Sequence, residues 1–179
     1  MNSFPKYLKM DKILEIIHQT KDRKTRLMID ILRKTGLRIS EMLSLTPANI
    51  DPEVPSITVR TLKKRKISYR KIPVDTRLYL DLIHFIMDYK IDKDNKLFEL
   101  SRQAVYSRIR KQMLKCDVAD ETAHPHTLRH SYAVHCLEQG LPFRYLHEYL
   151  GHDTLESTMI YTKITLSDSK QLFDKIIWE

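Results

Sequence analysis

Two prolines and two glycines divide the stretch 123–162, AHPHTLRHSYAVHCLEQGLPFRYLHEYLGHDTLESTMIYT, into three short helices, and most of the chain's reactive side chains fall on them. Pro125 suits a first helical turn, where a missing N–H costs nothing, and Gly140 suits the far end, so a helix is predicted over roughly 126–138. His126 and Arg129 are three apart and share a face. Leu128, Tyr132, Val134 and Leu137 supply its buried side. Pro142 opens a second helix, PFRYLHEYL, which stops at Gly151 and presents His152 directly after the stop. Thr154 suits the N-cap of a third, TLESTMIYT, where Glu156 favours the first turn and Tyr161 falls near the end. Singly, each residue has a plainer explanation. A His–Arg pair on a basic protein is usually surface, and a tyrosine at helical spacing is usually core.

Length and charge narrow the possibilities. A chain of 179 residues fits one domain, and at that size roughly 70% of the unfolded surface can be buried. Cys116 and Cys136 show no paired spacing, so a disulfide framework is not expected and the cytoplasm is the natural setting. No apolar run is long enough to span a bilayer, and the N-terminus lacks a signal-peptide pattern, so no membrane partner is expected. Lys and Arg number 31 against 23 Asp and Glu, a net charge of +8 with a pI near 9.4, which favours a polyanion such as nucleic acid. Three glycines, with no GxxxxGK or GxGxxG, argue against a nucleotide-driven enzyme.

Upstream, MDKILEIIHQ and RKTRLMIDILRKTG read as amphipathic helices, the second ending at Gly36. A short helix follows in RISEMLSL, with Arg38 and Glu41 three apart. Alone, Arg38 is best read as solvated and paired with Glu41; beside a tight glycine turn it is also placed to hold a phosphate through two parallel hydrogen bonds. Over 56–74 the period changes to two and predicts a β-hairpin with a long basic tip: seven Lys or Arg and no acid lie between Arg60 and Lys71. It is either a solvated tip or a finger against a phosphate backbone, in which a lysine among like charges would have its pKa lowered enough to give up a proton. TRLYLDLIHFIMDYK is a further amphipathic helix, with Leu80, Leu82, Ile83, Ile86 and Met87 expected inside. Ser101 caps another, whose polar side carries Arg102, Arg108, Arg110, Lys111 and Lys115. Residues 168–179 read as a last helix with a heavy apolar load. The expected fold is α+β and mainly helical: one domain over 1–179, with a small antiparallel sheet on one edge.

Arg38 in TGLRISEMLSL, a lysine in the hairpin, His126 and Arg129 in HTLRH, His152 in LGH and Tyr161 nine residues later together resemble the tyrosine recombinase (phage integrase) family over about 25–165. The resemblance implies a catalytic domain without the N-terminal DNA-clamping domain that most members carry, and HPHTLRHS is similar to the HPHxLRHS string of the fimbrial-switch invertases. It implies a site-specific recombinase that cuts and rejoins double-stranded DNA through a 3′-phosphotyrosyl link, with no metal, ATP or other cofactor. Tyr161 would be the nucleophile. Arg38 and Arg129 would hold the charge of the phosphorane, His126 would serve as acid/base partner, His152 would bond the phosphate, and Lys63, or its neighbour Lys64, would protonate the leaving 5′-oxygen. Glu41 would support the first arginine. Arg60, Lys64, Arg65, Lys66, Arg102 and Arg108 are the candidate DNA contacts, and a tetramer on two sites is implied, with a monomer possible off DNA.

Three rivals stand beside this reading. His124, His126 and His130 have the clustering of a zinc site but lack the glutamate of HExxH. A non-catalytic DNA-binding regulator would use the arginines as clamps and Tyr161 as packing. A type IB topoisomerase would use the same chemistry to relax DNA, and the LGH and HxxR spelling favours the recombinase over it.

Overall fold

The computed structural model describes residues 5–63, 66–165 and 173–174, with 62, 63, 66, 67, 164 and 165 described by backbone alone. Among the described residues there are eight helices and one hairpin. They are α1 Met10–Gln19, α2 Arg23–Thr35, α3 Ile39–Leu43, β1 Ser56–Lys63, β2 Lys66–Pro73, α4 Thr76–Asp88, α5 Arg102–Lys115, α6 Pro125–Glu138, α7 Phe143–Leu150 and α8 Glu156–Thr165. Side-chain caps set three of the starts. Asp22, Asp75 and Ser101 each accept a hydrogen bond from the backbone N–H three residues on, at 2.9, 3.0 and 3.1 Å.

The central element is α6. Leu128, Ala133 and Val134 are buried, and so are Thr127, Arg129 and Ser131, because α2, α5, α7 and α8 surround the helix. A helix buried on several sides cannot keep a single apolar stripe. Two cores meet along it: a large one built from α1 to α5 and the hairpin, and a small one of Tyr132, Ala133, Val134, Leu137, Leu146, Leu150 and Tyr161. Gly36 ends α2 in the left-handed conformation at φ 63°, and a Cβ there would lie 2.5 Å from the Tyr132 ring. Only glycine lets α2 approach α6 this closely.

Three expectations need correction. In α4 the buried residues are Leu78, Leu82 and Phe85, whereas Leu80 and Met87 are 46% and 67% exposed. The segment is apolar around most of its circumference, so its composition leaves the phase open, and the i, i+4, i+7 stripe starting at Leu78 is the one that meets the core. The hairpin ladder runs unbroken from Ser56↔Pro73 to Lys63↔Lys66, so the basic segment is mostly paired strand rather than a long tip. Finally, α8 begins at Glu156; Thr154 does not cap it, and its hydroxyl instead meets that of Ser157 at 3.0 Å. Lys64 and Arg65 lie outside the described residues, as does the helix expected over 168–179 apart from Phe173 and Asp174.

Candidate active site

Arg129 leaves α6 and joins the C-terminal ends of two other helices. One terminal nitrogen donates to the Gly36 carbonyl at 2.6 Å and the other to the Leu150 carbonyl at 2.8 Å. Such carbonyls have no partner within their own helices and carry the negative end of the helix dipole, so a buried cation satisfies both needs. Burial, with the charge of Arg38, pulls Arg129 down to about 10, still charged at neutral pH.

Arg38 follows two residues after Gly36, at the N-cap of α3. Its guanidinium meets Glu41 Oε1 at 3.1 Å and its backbone N–H donates to Glu41 Oε2 at 2.8 Å. The side chain is 42% exposed, in contrast to Arg129 at 2%. It is the largest charge acting on Arg129, and it also acts on Tyr161, His126 and His152. The two arginines therefore face one site.

A third guanidinium, Arg70, supports it. On the inward face of the hairpin Ile57, Val59 and Ile72 are buried, and Arg70 falls in phase with them opposite Val59. It donates to Glu41 Oε2 at 3.0 Å, to the Tyr149 carbonyl at 2.9 Å and to the Thr61 hydroxyl. Burial alone would raise the Glu41 pKa, but Arg70 and Arg38 hold the carboxylate below its ordinary value. One carboxylate thus links Arg38 to the hairpin, and Arg70 links the hairpin to the end of α7. The clue in the sequence was a charge on the apolar beat of a strand.

Gly151, the C-cap of α7 at φ 61°, lies against Arg70; a Cβ there would sit 2.9 Å from the guanidinium carbon. Gly151→Ala is expected to lose about 2–4 kcal/mol of stability, combining left-handed strain with overpacking. Gly140→Ala, at φ 84° with nothing within 4 Å of the added atom, should lose only the backbone part. Urea unfolding of the two variants measures the difference.

Tyr161, 2% exposed, sits in the small core with its hydroxyl 2.8 Å from His130 Nδ1. The sequence offers His130 only as a zinc candidate. His126, the acid/base partner that the family resemblance implies, is exposed and packs edge-on against the His130 ring at 4.5 Å. Burial raises the Tyr161 phenol, opposed by Arg129 and Arg38. Burial, with His126, His124 and Arg129 nearby, lowers His130 to about 4. His152 stacks on Tyr161 at 6.5 Å and its Nδ1 lies 2.8 Å from the Thr158 hydroxyl; burial and the two arginines lower it to about 3. Desolvation and Arg129 lower His126 as well. These imidazoles are held uncharged first by desolvation and second by the positive charges around them. His124 occupies the N-cap of α6 beside Thr127, and among the described residues no group of three His, Cys, Asp or Glu is arranged to hold a metal ion.

The hairpin lysines bracket its end: Lys63 pairs with Lys66 in the ladder, both known by backbone position only. Arg60 is exposed on the outer face of β1. Arg102, exposed at the start of α5, acts electrostatically on His126, so this end of α5 borders the site. Arg108 is exposed and 3.5 Å from Asp22, whereas Arg110 is held by Asp120 and the Ala123 carbonyl. No described helix is long and apolar enough to cross a membrane.

Comparison with known proteins decides the family: the model of the phage integrase family matches residues 6–167. The chain belongs to the phage integrase family. It is 35% identical over 182 residues to the tyrosine recombinase XerA of Thermococcus onnurineus, covering 97% of this chain and 63% of that relative's length. Its fold matches that of the XerH site-specific recombinase in complex with its difH substrate, with a TM-score of 0.80 and 22% identity over 97% of this chain and 54% of that one. The catalytic domain of bacteriophage HP1 integrase matches with a TM-score of 0.69 and 25% identity over 96% of both chains.

In this family member the depressed imidazoles make folding pH-dependent. His130 and His152 titrate at about 4 and about 3 when folded, and near the ordinary 6.5 when unfolded. The unfolded chain therefore binds more protons as pH falls below about 6.5, so stability is full above that pH and declines steadily toward 4, with about 1.4 kcal/mol for each unit of depression. The melting temperature should fall between pH 7 and pH 4.5, and His130→Asn with His152→Asn should flatten that slope. An unchanged slope would refute the assignment.

Proposed function

We propose that this chain is a single catalytic domain of a site-specific recombinase that cuts one DNA strand with Tyr161 and reseals it to a new partner. The observation that carries this is the phenol of Tyr161 hydrogen-bonded to an uncharged imidazole within electrostatic reach of two guanidiniums. The 35% identical relative bears the name tyrosine recombinase.

The Tyr161 oxygen attacks phosphorus and gives its proton to His130 Nδ1. The P–O5′ bond breaks, and the departing oxygen takes a proton from Lys63. The 3′-phosphotyrosyl link keeps the energy of the phosphodiester, so the reverse step reseals DNA without water or cofactor. Arg38 and the N–H groups of Arg129 not donated to Gly36 and Leu150 receive the non-bridging oxygens, joined by His126 and His152. An imidazole titrating near 4 is a poor base for a phenol, and the bound phosphate corrects this. Burial depresses His130 most, with His126, His124 and Arg129 adding to it, and a phosphate's negative charge beside the ring favours its charged form and raises it toward the working range.

Arg60, Lys64, Arg65, Lys66, Arg102 and Arg108 serve as backbone contacts, which makes binding strongly salt-dependent. Recombination between two duplexes in the cytoplasm brings four chains together, one for each strand cut. A suicide duplex, nicked so that the fragment after the cut diffuses away, tests the reading. A covalent adduct should form, and mass spectrometry should place the nucleotide on the peptide containing Tyr161. No adduct, or one on another residue, would overturn it.

A further inference from the structure

Thr158 is fully buried, and its hydroxyl lies between two imidazoles: 2.8 Å from Nδ1 of His152 and 3.0 Å from Nδ1 of His147. A hydroxyl has one hydrogen to give and lone pairs with which to accept, so it cannot donate to both rings. Accepting from both rings would leave the hydrogen of this fully buried hydroxyl without an acceptor, because the two imidazoles are the hydrogen-bond partners of its oxygen, so two arrangements satisfy the geometry. In one, Thr158 donates to His152 and accepts from Nδ1–H of His147. In the other, both bonds run the opposite way.

The two arrangements leave His152 with different chemistry. If its Nδ1 accepts, the ring hydrogen of neutral His152 is on Nε2, and a donor faces away from Thr158. If its Nδ1 donates, Nε2 is a bare lone pair, which repels a phosphate oxygen. Protonating the ring would restore the donor, but burial and the nearby Arg129 and Arg38 keep His152 uncharged at neutral pH. Only the first arrangement lets a neutral His152 donate to an anion, and it requires a hydrogen on Nδ1 of His147. That hydrogen is present in the Nδ1–H tautomer and in the imidazolium alike.

We propose that His147 is a positioning residue: acting through the Thr158 hydroxyl, it fixes the tautomer of His152 and so turns His152 into a phosphate donor. This rests on the reading of His152 as a phosphate contact. His147 is half-buried in the last turn of α7, with Phe143 stacked on its ring at 6.4 Å. The same helix stop, Gly151, separates it from the residue it controls. The device resembles the outer-shell partners that orient metal-bound histidines, whose loss costs roughly 10–100-fold in activity.

The test compares His147→Phe, which keeps the ring and removes the donor, with His147→Asn, whose amide nitrogen sits where Nδ1 was. Nitrogen-15 spectra of the histidine rings, with His152 assigned by the signals lost in His152→Asn, read the tautomer in the free protein without any DNA. The wild type and His147→Asn should show the hydrogen on Nε2 of His152. His147→Phe should lose that preference and cleave a suicide duplex about 10-fold more slowly, with DNA affinity unchanged. Thr158→Val should behave like His147→Phe, and Thr158→Ser like the wild type; if Thr158→Val does not fold, the His147 pair decides alone. A His152 tautomer unchanged in His147→Phe, or one carrying its hydrogen on Nδ1 in the wild type, overturns the proposal. Failure of the wild type to cleave DNA, with the tautomer as described, would instead overturn the catalytic reading while leaving the relay intact.

Discussion

Tyr161→Phe should leave the chain folded and abolish the covalent adduct with DNA. The ring fills the same place in the small core, and the hydroxyl's hydrogen bond to His130, worth about 1 kcal/mol, is lost. With Tyr161 as the attacking group, the loss of adduct should be complete rather than partial. An adduct that survives in the Phe variant would refute the assignment of Tyr161. Replacing the imidazoles separates their roles further. His130→Asn removes the group bonded to the phenol and should slow cleavage by about 10²–10⁴, the usual contribution of a positioned acid or base. If His126→Asn caused that loss and His130→Asn did not, the proton would go to His126, as the sequence resemblance implied.

Arg38→Ala and Arg129→Ala should slow cleavage by comparable factors, roughly 10²–10³ as for other single donors to a developing charge, yet differ sharply in what they do to the fold. Arg38 is half-exposed and bonded to Glu41, so its removal should cost within about 1 kcal/mol. Arg129 is buried, and its removal leaves the carbonyls of Gly36 and Leu150 without their donor and opens a cavity between three helices. A loss of about 3–5 kcal/mol is expected. Denaturant unfolding beside single-turnover cleavage measures both quantities. Equal stability losses in the two variants would contradict the division of labour, in which one arginine serves mainly the substrate and the other serves substrate and fold together.

Much of this arrangement can be read in the chain because its punctuation is local. Gly36 and Gly151 stop helices wherever they stand, Pro125 starts one, and the spacing of His126 and Arg129 fixes their common face. The pairing of Arg38 with Glu41 followed from the same three-residue rule. What escaped depends on contacts distant in sequence. Arg70 meets Glu41 across 29 positions and His130 meets Tyr161 across 31, and no periodicity reports such pairs. Thr158 passed as an ordinary helix residue because its two partners come from another helix and from the loop between them. In α4 the difficulty was of another kind: an excess of apolar residues left several phases equally good, and only the neighbouring surface chose among them.

The depth of Tyr161 has a consequence for control. On the proposed reading, the duplex has to reach a tyrosine that is only 2% exposed, so the segments covering Tyr161 have to shift before the first bond can break. If Tyr161 is the cutting residue, random collision with DNA is then harmless in the resting protein. The reactive oxygen is sheathed until binding supplies the work to draw it out, and the speed of the first cut is governed by that unveiling as much as by the exchange of bonds.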